Sequence, residues 1–142
     1  VSPLAYIKTN VEGTYNILEA SKNLGVNQTI ITSTSETYGS ARYVPVDEKH
    51  PLSAQSPYSA SKISAELLSY NYHYHYGINT AILRFFTVYG PFGRPDMVIF
   101  KFIKLILENK PITMYGDGKS SRDYTYVTDV SDALIASTKL NG

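Results

Sequence analysis

The chain has 142 residues, 43% of them hydrophobic, and its 13 Lys and Arg stand against 12 Asp and Glu for a formal net charge of +1. That length and apolar share suffice to bury a core as one soluble globular unit, and the scattered, nearly balanced charges exclude a surface built to attract a polyanion, so no nucleic-acid partner is expected. No apolar run reaches membrane-spanning length and no signal peptide is visible, so no membrane contact and a cytoplasmic location are expected; with no cysteine, disulfides and cysteine-based zinc sites are excluded.

Along the chain, residues 3–24 read as a helix, with Leu4, Ile7, Val11 and Leu18 at roughly helical spacing and Gly25 as its stop. A strand near 29–34 follows. It starts with the β-branched Thr29 to Ile31 and runs into Thr32-Ser33-Thr34-Ser35-Glu36-Thr37-Tyr38-Gly39, which reads as a buried parallel strand delivering hydroxyl side chains at its carboxyl end. Residues 40–56 are a connection rich in Pro, Asp and Ser. A second helix spans 57–76 and is stopped by Gly77. Then come a strand at 79–85, a Gly/Pro-rich loop at 89–96, a helix near 97–109, a short strand at 112–115, a loop at 116–124 and a final helix from about Asp129. Alternation of this kind predicts an α/β fold with a parallel sheet flanked by helices.

The stretch Ser56-Pro57-Tyr58-Ser59-Ala60-Ser61-Lys62 opens the second helix. Ser56 suits the cap and Pro57 the first helical position, and residues four apart share a face, so Tyr58 and Lys62 point the same way. A phenol of ordinary pKa about 10 is a poor base at neutral pH, but a nearby ammonium favours its phenolate and makes proton transfer practicable. The same spacing is also common on ordinary amphipathic helices.

These two stretches, together with Asn10-Val11-Glu12-Gly13-Thr14, Arg84-Phe85-Phe86-Thr87-Val88-Tyr89-Gly90-Pro91 and Arg122-Asp123-Tyr124, resemble the extended short-chain dehydrogenase/reductase family, the NAD-dependent epimerases and dehydratases of nucleotide sugars. The resemblance covers essentially the whole chain. It implies the C-terminal part of a Rossmann-like doubly wound parallel sheet plus part of a substrate-binding region, with NAD as cofactor and a UDP-sugar as substrate. By position in the motifs, Thr34 matches the hydroxyl residue of the catalytic group, Tyr58 its base and Lys62 the base's partner; Tyr58, Lys62 and Asn10 would also meet the cofactor. Asn10 could equally satisfy a neighbouring backbone group. The glycine-rich turn that holds a dinucleotide pyrophosphate is missing, and Gly116-Asp117-Gly118 lies too late and lacks a third glycine. Residues 1–142 are therefore expected to form a partial epimerase/dehydratase domain, without the N-terminal cofactor-binding half and the C-terminal end. Alone, such a fragment is expected neither to bind NAD nor to turn over.

Two signals bear on the reaction and point apart. Phe85 to Met97, with Gly93-Arg94-Pro95-Asp96-Met97, resembles the segment of UDP-glucuronate 4-epimerases, which implies that Arg94 grips a sugar carboxylate with its guanidinium fork and that Thr87 lies nearby. Glu36 resembles instead the base of the 4,6-dehydratases and the decarboxylases, although Ser35 stands where dehydratases often carry an acid. The expectation is 4-epimerisation, UDP-glucuronate to UDP-galacturonate, with dehydration or decarboxylation as the alternative. Ser35 and Thr34 would touch the substrate, Tyr115 would stack on its base, and Arg122 would contact the diphosphate unless it pairs with Asp123 or Asp129. His50, His73 and His75 complete no ligand spacing, so no metal site is expected. The resemblance further implies a homodimer, and a noncatalytic fold relative is the reading from a different class.

Overall fold

The computed structural model describes residues 2–114 and 116–140. They fall into two compact units, the first running to Phe85 and resuming at Ala133, the second Phe86–Asp132.

The first unit opens with α1 (Pro3–Tyr6), a π-helical stretch Ile7–Glu12 and α2 (Gly13–Leu24). The predicted helix 3–24 is thus present but wound wider in its second and third turns, a widening that periodicity does not report. Gly25 ends it in the left-handed conformation, as Gly77 ends α3 (Pro57–Tyr76). Between these helices β1 (Gln28–Thr34) leads into a 3-10 turn, Ser35–Tyr38. After α3 the chain returns as β2 (Asn79–Phe85), parallel to β1 from Gln28 opposite Asn79 to Thr34 opposite Phe85.

The entry to α3 follows the sequence closely. Ser56 accepts from the Ser59 N–H at 3.0 Å, the Ser59 hydroxyl oxygen accepts from the Ser56 N–H at 3.0 Å, and Pro57 takes the first helical position. A reciprocal cap of this kind satisfies two of the amides that a helix start leaves open. Leu18 of α2, Tyr72 of α3 and Ile78 form the buried apolar cluster, with Leu68 packed on it. Beside it Glu19 accepts from the Tyr72 hydroxyl at 2.5 Å and from Lys22 at 2.6 Å. Those hydrogen bonds hold the Glu19 carboxyl below the usual range, while burial and the same carboxylate push the Tyr72 phenol up.

The connection 40–56 is stitched to the site's turn. Ser53 donates its N–H to Thr37 O at 2.8 Å, and the buried His50 accepts the Arg42 N–H on Nε2 at 2.9 Å. Gly39 allows the approach: its φ of 67° with ψ of −141° suits glycine alone, and a Cβ there would overlap the Ser53 carbonyl oxygen. Gly39→Ala in the full-length protein is therefore expected to cost about 1–3 kcal/mol, the scale of such backbone strain, and to lower the midpoint of thermal unfolding. An unchanged midpoint would contradict this account.

The second unit holds β3 (Thr87–Tyr89), α4 (Val98–Leu107) and β4 (Tyr124–Tyr126), with β3 and β4 parallel and Thr87 opposite Tyr124. Neither short strand is predicted from the sequence, because three residues carry no readable alternation; each becomes a strand by pairing with the other. Of the strand predicted at 112–115, residues 112–114 form no ladder, and Tyr115 lies outside the described residues. The last helix, α5 (Val127–Ser137), begins two residues before Asp129 and crosses from the second unit into the first. Its end ties back to the sheet of the first unit: Gln28 donates to Ser137 O at 2.7 Å and Asn79 to Leu140 O at 2.9 Å.

Candidate active site

In the first unit α3 packs on β1 and on the turn that follows it, and of the side chains singled out from the sequence this unit holds Asn10, Thr34, Ser35, Glu36, Tyr58 and Lys62, whereas Thr87, Arg94 and Arg122 belong to the second. Lys62 donates from Nζ to the carbonyl oxygen of Thr32 at 3.0 Å, so the ammonium lies against the last residues of β1. Burial lowers its pKa below the ordinary lysine value, opposed by the nearby carboxylate of Glu66. Tyr58, half-buried, packs its ring on that of Tyr6, with centroids 5.4 Å apart and planes tilted by 58°. This contact limits the directions in which the phenol can point.

Thr34, the last residue of β1, caps the 3-10 turn by accepting the Glu36 N–H at 3.2 Å. A hydroxyl that accepts still has its own proton to donate. Ser35 is half-buried at the start of the turn and Glu36 is exposed. The turn's remaining anchor is Thr37, whose hydroxyl donates to Thr34 O at 2.8 Å.

Asn10 sits within the π-helical stretch and donates to the Ser61 hydroxyl at 2.9 Å; Ser61 in turn donates to the Tyr58 carbonyl at 2.7 Å. Its amide is thus tied through Ser61 to the start of α3, from a stretch wound as a π-helix. Widened turns of this sort are frequent at functional sites.

The sequence reading passes over a network directly beneath Lys62. Glu66, one helical turn on, is only 4% exposed, and it accepts from Arg84 of β2 through Nη2 at 2.7 Å and Nε at 3.1 Å, and from the Ser33 hydroxyl. Arg84 also donates to the Tyr38 hydroxyl at 3.3 Å and lies over the Tyr38 ring, 5.0 Å from its centre. Hydrogen bonding to Glu66 pushes the guanidinium pKa up, so the pair stays ionised on that side throughout. A signal was available: Arg84 interrupts the apolar run Ala81-Ile82-Leu83, and a charge in a buried strand requires a partner.

In the second unit Thr87 and Arg94 line one largely apolar cavity of about 160 Å³ together with Gly90, Met97 and Phe100. Arg94 is exposed and pairs with Asp96 at 2.6 Å. The Arg122 segment leads into β4 beside Thr87, whose N–H donates to Asp123 O at 3.2 Å. Arg122 is exposed and donates to Ser121 O at 2.9 Å, and among the described residues no ion pair joins it to Asp123 or Asp129. Tyr115 lies outside the described residues. Among those residues there is no group of His, Asp or Glu able to hold a metal ion, and no helix is long and apolar enough to cross a membrane.

A parallel strand that ends in hydroxyls, with Tyr-x-x-x-Lys on the helix packed against it, defines a Rossmann-like α/β protein of the short-chain dehydrogenase/reductase class. Within that class, residues 1–140 match the family described as NAD dependent epimerase/dehydratase, and the chain belongs to it. It is 48% identical over 139 residues to UDP-glucuronate 4-epimerase of Thermodesulfobacterium geofontis, a match over 97% of this chain and 43% of that protein. Among solved structures, UDP-glucuronic acid 4-epimerase from Bacillus cereus, in complex with UDP-glucuronic acid and NAD, is 39% identical with a TM-score of 0.89, over 96% of this chain and 43% of that one. The dTDP-glucose 4,6-dehydratase from Bacillus anthracis, in complex with NAD, is 34% identical with a TM-score of 0.89, over 96% of this chain and 44% of that one. The chain thus spans less than half the length of the relatives it matches.

Proposed function

We propose that the full-length protein interconverts nucleotide sugars at C4 through a 4-keto intermediate, with UDP-glucuronate as substrate and UDP-galacturonate as product, and that this chain is part of its epimerase domain. The observation that supports the reading is Lys62 held on Thr32 O near the carboxyl end of β1, the edge at which open parallel sheets bind ligands, with Tyr58 one turn earlier on the same helix. In this reading Tyr58 takes the proton of the C4 hydroxyl as the carbonyl forms and returns it when the opposite face is reduced. Thr34 donates a hydrogen bond to the same oxygen. Lys62 favours the phenolate by its charge.

The residues present fit NAD by their donor set. An ammonium whose one hydrogen-bond acceptor among the described residues is a backbone carbonyl has N–H groups left over, and with the Tyr58 phenol it suits the paired hydroxyls of a ribose. NAD, when bound, supplies the acceptor and later the donor of the C4 hydride. Asn10 would act from behind, through Ser61 and the Tyr58 carbonyl.

The choice of a uronic acid is supported by Arg94 on the cavity shared with Thr87 and by the 48% identical relative. The Arg94–Asp96 pair is exposed, so its loss costs little when a carboxylate competes for the fork. Glu36, exposed one residue after Ser35, supports the dehydratase reading less well, because no acid stands beside it in the turn for a leaving hydroxyl.

Incubating the full-length protein with UDP-glucuronate and following products by proton NMR tests the proposal. UDP-galacturonate is the expected signal, and Arg94→Met is expected to raise KM by about tenfold, the scale of a lost charged hydrogen bond. A 4-keto-6-deoxy product from a neutral sugar nucleotide, or a pentose nucleotide from UDP-glucuronate, would overturn it.

A further inference from the structure

We propose that Glu66 and Arg84 are positioning residues for the Tyr58–Lys62 pair: their buried ion pair, keyed to Ser33, fixes the register of α3 on β1 and so the place of both reacting side chains. The inference rests on the reading of Tyr58 as the acid–base group.

Three observations carry it. Lys62 and Glu66 are four residues apart on one helix face, and they engage consecutive residues of β1, Lys62 the Thr32 carbonyl and Glu66 the Ser33 hydroxyl. A shift or rotation of α3 breaks both contacts at once. Next, Ser33 and Arg84 are register partners across β1 and β2, so the carboxylate of Glu66 closes a ring formed by two strands and a helix. Finally, Arg84 reaches on to Tyr38, at the end of the turn that begins beyond Thr34. One guanidinium therefore connects the hydroxyl-bearing turn to the helix that carries the phenol.

Stability alone does not explain such a pair. Two charges taken from water gain little over well-packed apolar side chains of similar volume, whereas a bidentate fork admits one relative orientation. A Leu–Met pair in the same place would hold α3 against the sheet but let it slide.

The ionisable groups on the elements packed about the reacting pair are Tyr6 from α1, Glu66 on α3 with its partner Arg84 from β2, Tyr38 and the exposed Glu36 from the turn, and, from the connection, Glu48, whose carbonyl faces Arg84, and His50, packed on Tyr38. β1 contributes no ionisable side chain, its end being Thr32, Ser33 and Thr34. Lys8 and Glu12 of the π-helical stretch are exposed, and Glu19 and Lys22 of α2 are engaged with each other and with Tyr72. Glu66 is thus the carboxylate near Lys62 whose removal leaves the Arg84 guanidinium without its ion-pair partner.

The test uses the full-length enzyme, with Tyr58→Phe as the control on the underlying reading. Glu66→Gln keeps the shape and the acceptor for Ser33 but removes the charge. Its expected result is kcat lowered by about tenfold with KM within about twofold, and an acidic limb of the kcat/KM profile displaced by about half a pH unit toward lower pH, since the unpaired guanidinium favours the phenolate. If Glu66→Gln does not fold, the double variant Glu66→Gln/Arg84→Met, which leaves no unpaired charge, is measured in its place, with the same loss of kcat expected and no displacement of the limb. A folded variant with wild-type kcat and an unmoved profile, alongside an inactive Tyr58→Phe, overturns the inference. An active Tyr58→Phe overturns the reading beneath it instead.

Discussion

Tyr58→Phe in the full-length protein is expected to lower kcat by about 10²- to 10⁴-fold, the contribution of a positioned acid–base group, with little change in thermal stability. The substitution deletes one oxygen and keeps the ring, so the packing on Tyr6 at 5.4 Å is retained. The Ser56–Ser59 cap, the Asn10–Ser61 bond and the Lys62–Thr32 bond around it are likewise retained. Loss of chemistry without loss of fold is therefore the signature, read from steady-state kinetics on UDP-glucuronate beside a melting curve. Binding of the sugar nucleotide, followed by calorimetry, is expected to persist. A folded Tyr58→Phe protein that turns over at the wild-type rate would remove the catalytic role assigned to this side chain.

The opposite signature is expected for Arg84→Met. Here the partner left behind is Glu66, 4% exposed, with Ser33 as its remaining hydrogen-bond donor. Stranding a carboxylate in the interior costs about 3–5 kcal/mol, far more than the intact pair contributes over an apolar one. In a protein of the length of its relatives this corresponds to a fall of roughly 4–7 °C in the melting temperature. Adding Glu66→Gln to the same protein is expected to recover a good part of that loss, because the second substitution removes the stranded charge. Melting curves of the two single variants and the double variant decide the point. Arg84→Met with an unchanged melting temperature would show that Glu66 is solvated or otherwise compensated.

These two residues also mark where sequence reading works and where it stops. Tyr58 was accessible because everything that places it is local. The cap, the proline and the four-residue spacing to Lys62 are written within seven consecutive residues, and helix geometry does the rest. The strand leading to Thr34 was accessible for a similar reason: its β-branched residues and hydroxyls are contiguous, and the glycines that stop the flanking helices, Gly25 and Gly77, stand next to what they stop. Glu66 and Arg84 were not, since they are 18 residues apart on different elements and only the β1–β2 register brings Ser33 beside Arg84. The π-helical widening at Asn10 escaped for the same reason, because its hydrogen-bond shift leaves no mark on the apolar pattern.

In the second unit the balance tips further toward tertiary structure. Thr87–Tyr89 and Tyr124–Tyr126 are too short to announce themselves, and each owes its strand conformation to a partner 37 residues away, as the Thr87–Tyr124 pairing shows. Residues 112–114 had the local look of a strand but have no ladder to join. By itself, then, the sequence determined the family, the α/β class, the helices with their stops, and the cap and spacing that set Tyr58 and Lys62 on one face of α3. Only the folded chain decided which buried charge faces which, and which short segments pair. The division is physical: caps, spacing and turn residues act within a few residues of backbone, whereas ion pairs and ladders require partners that the fold alone brings within hydrogen-bonding distance.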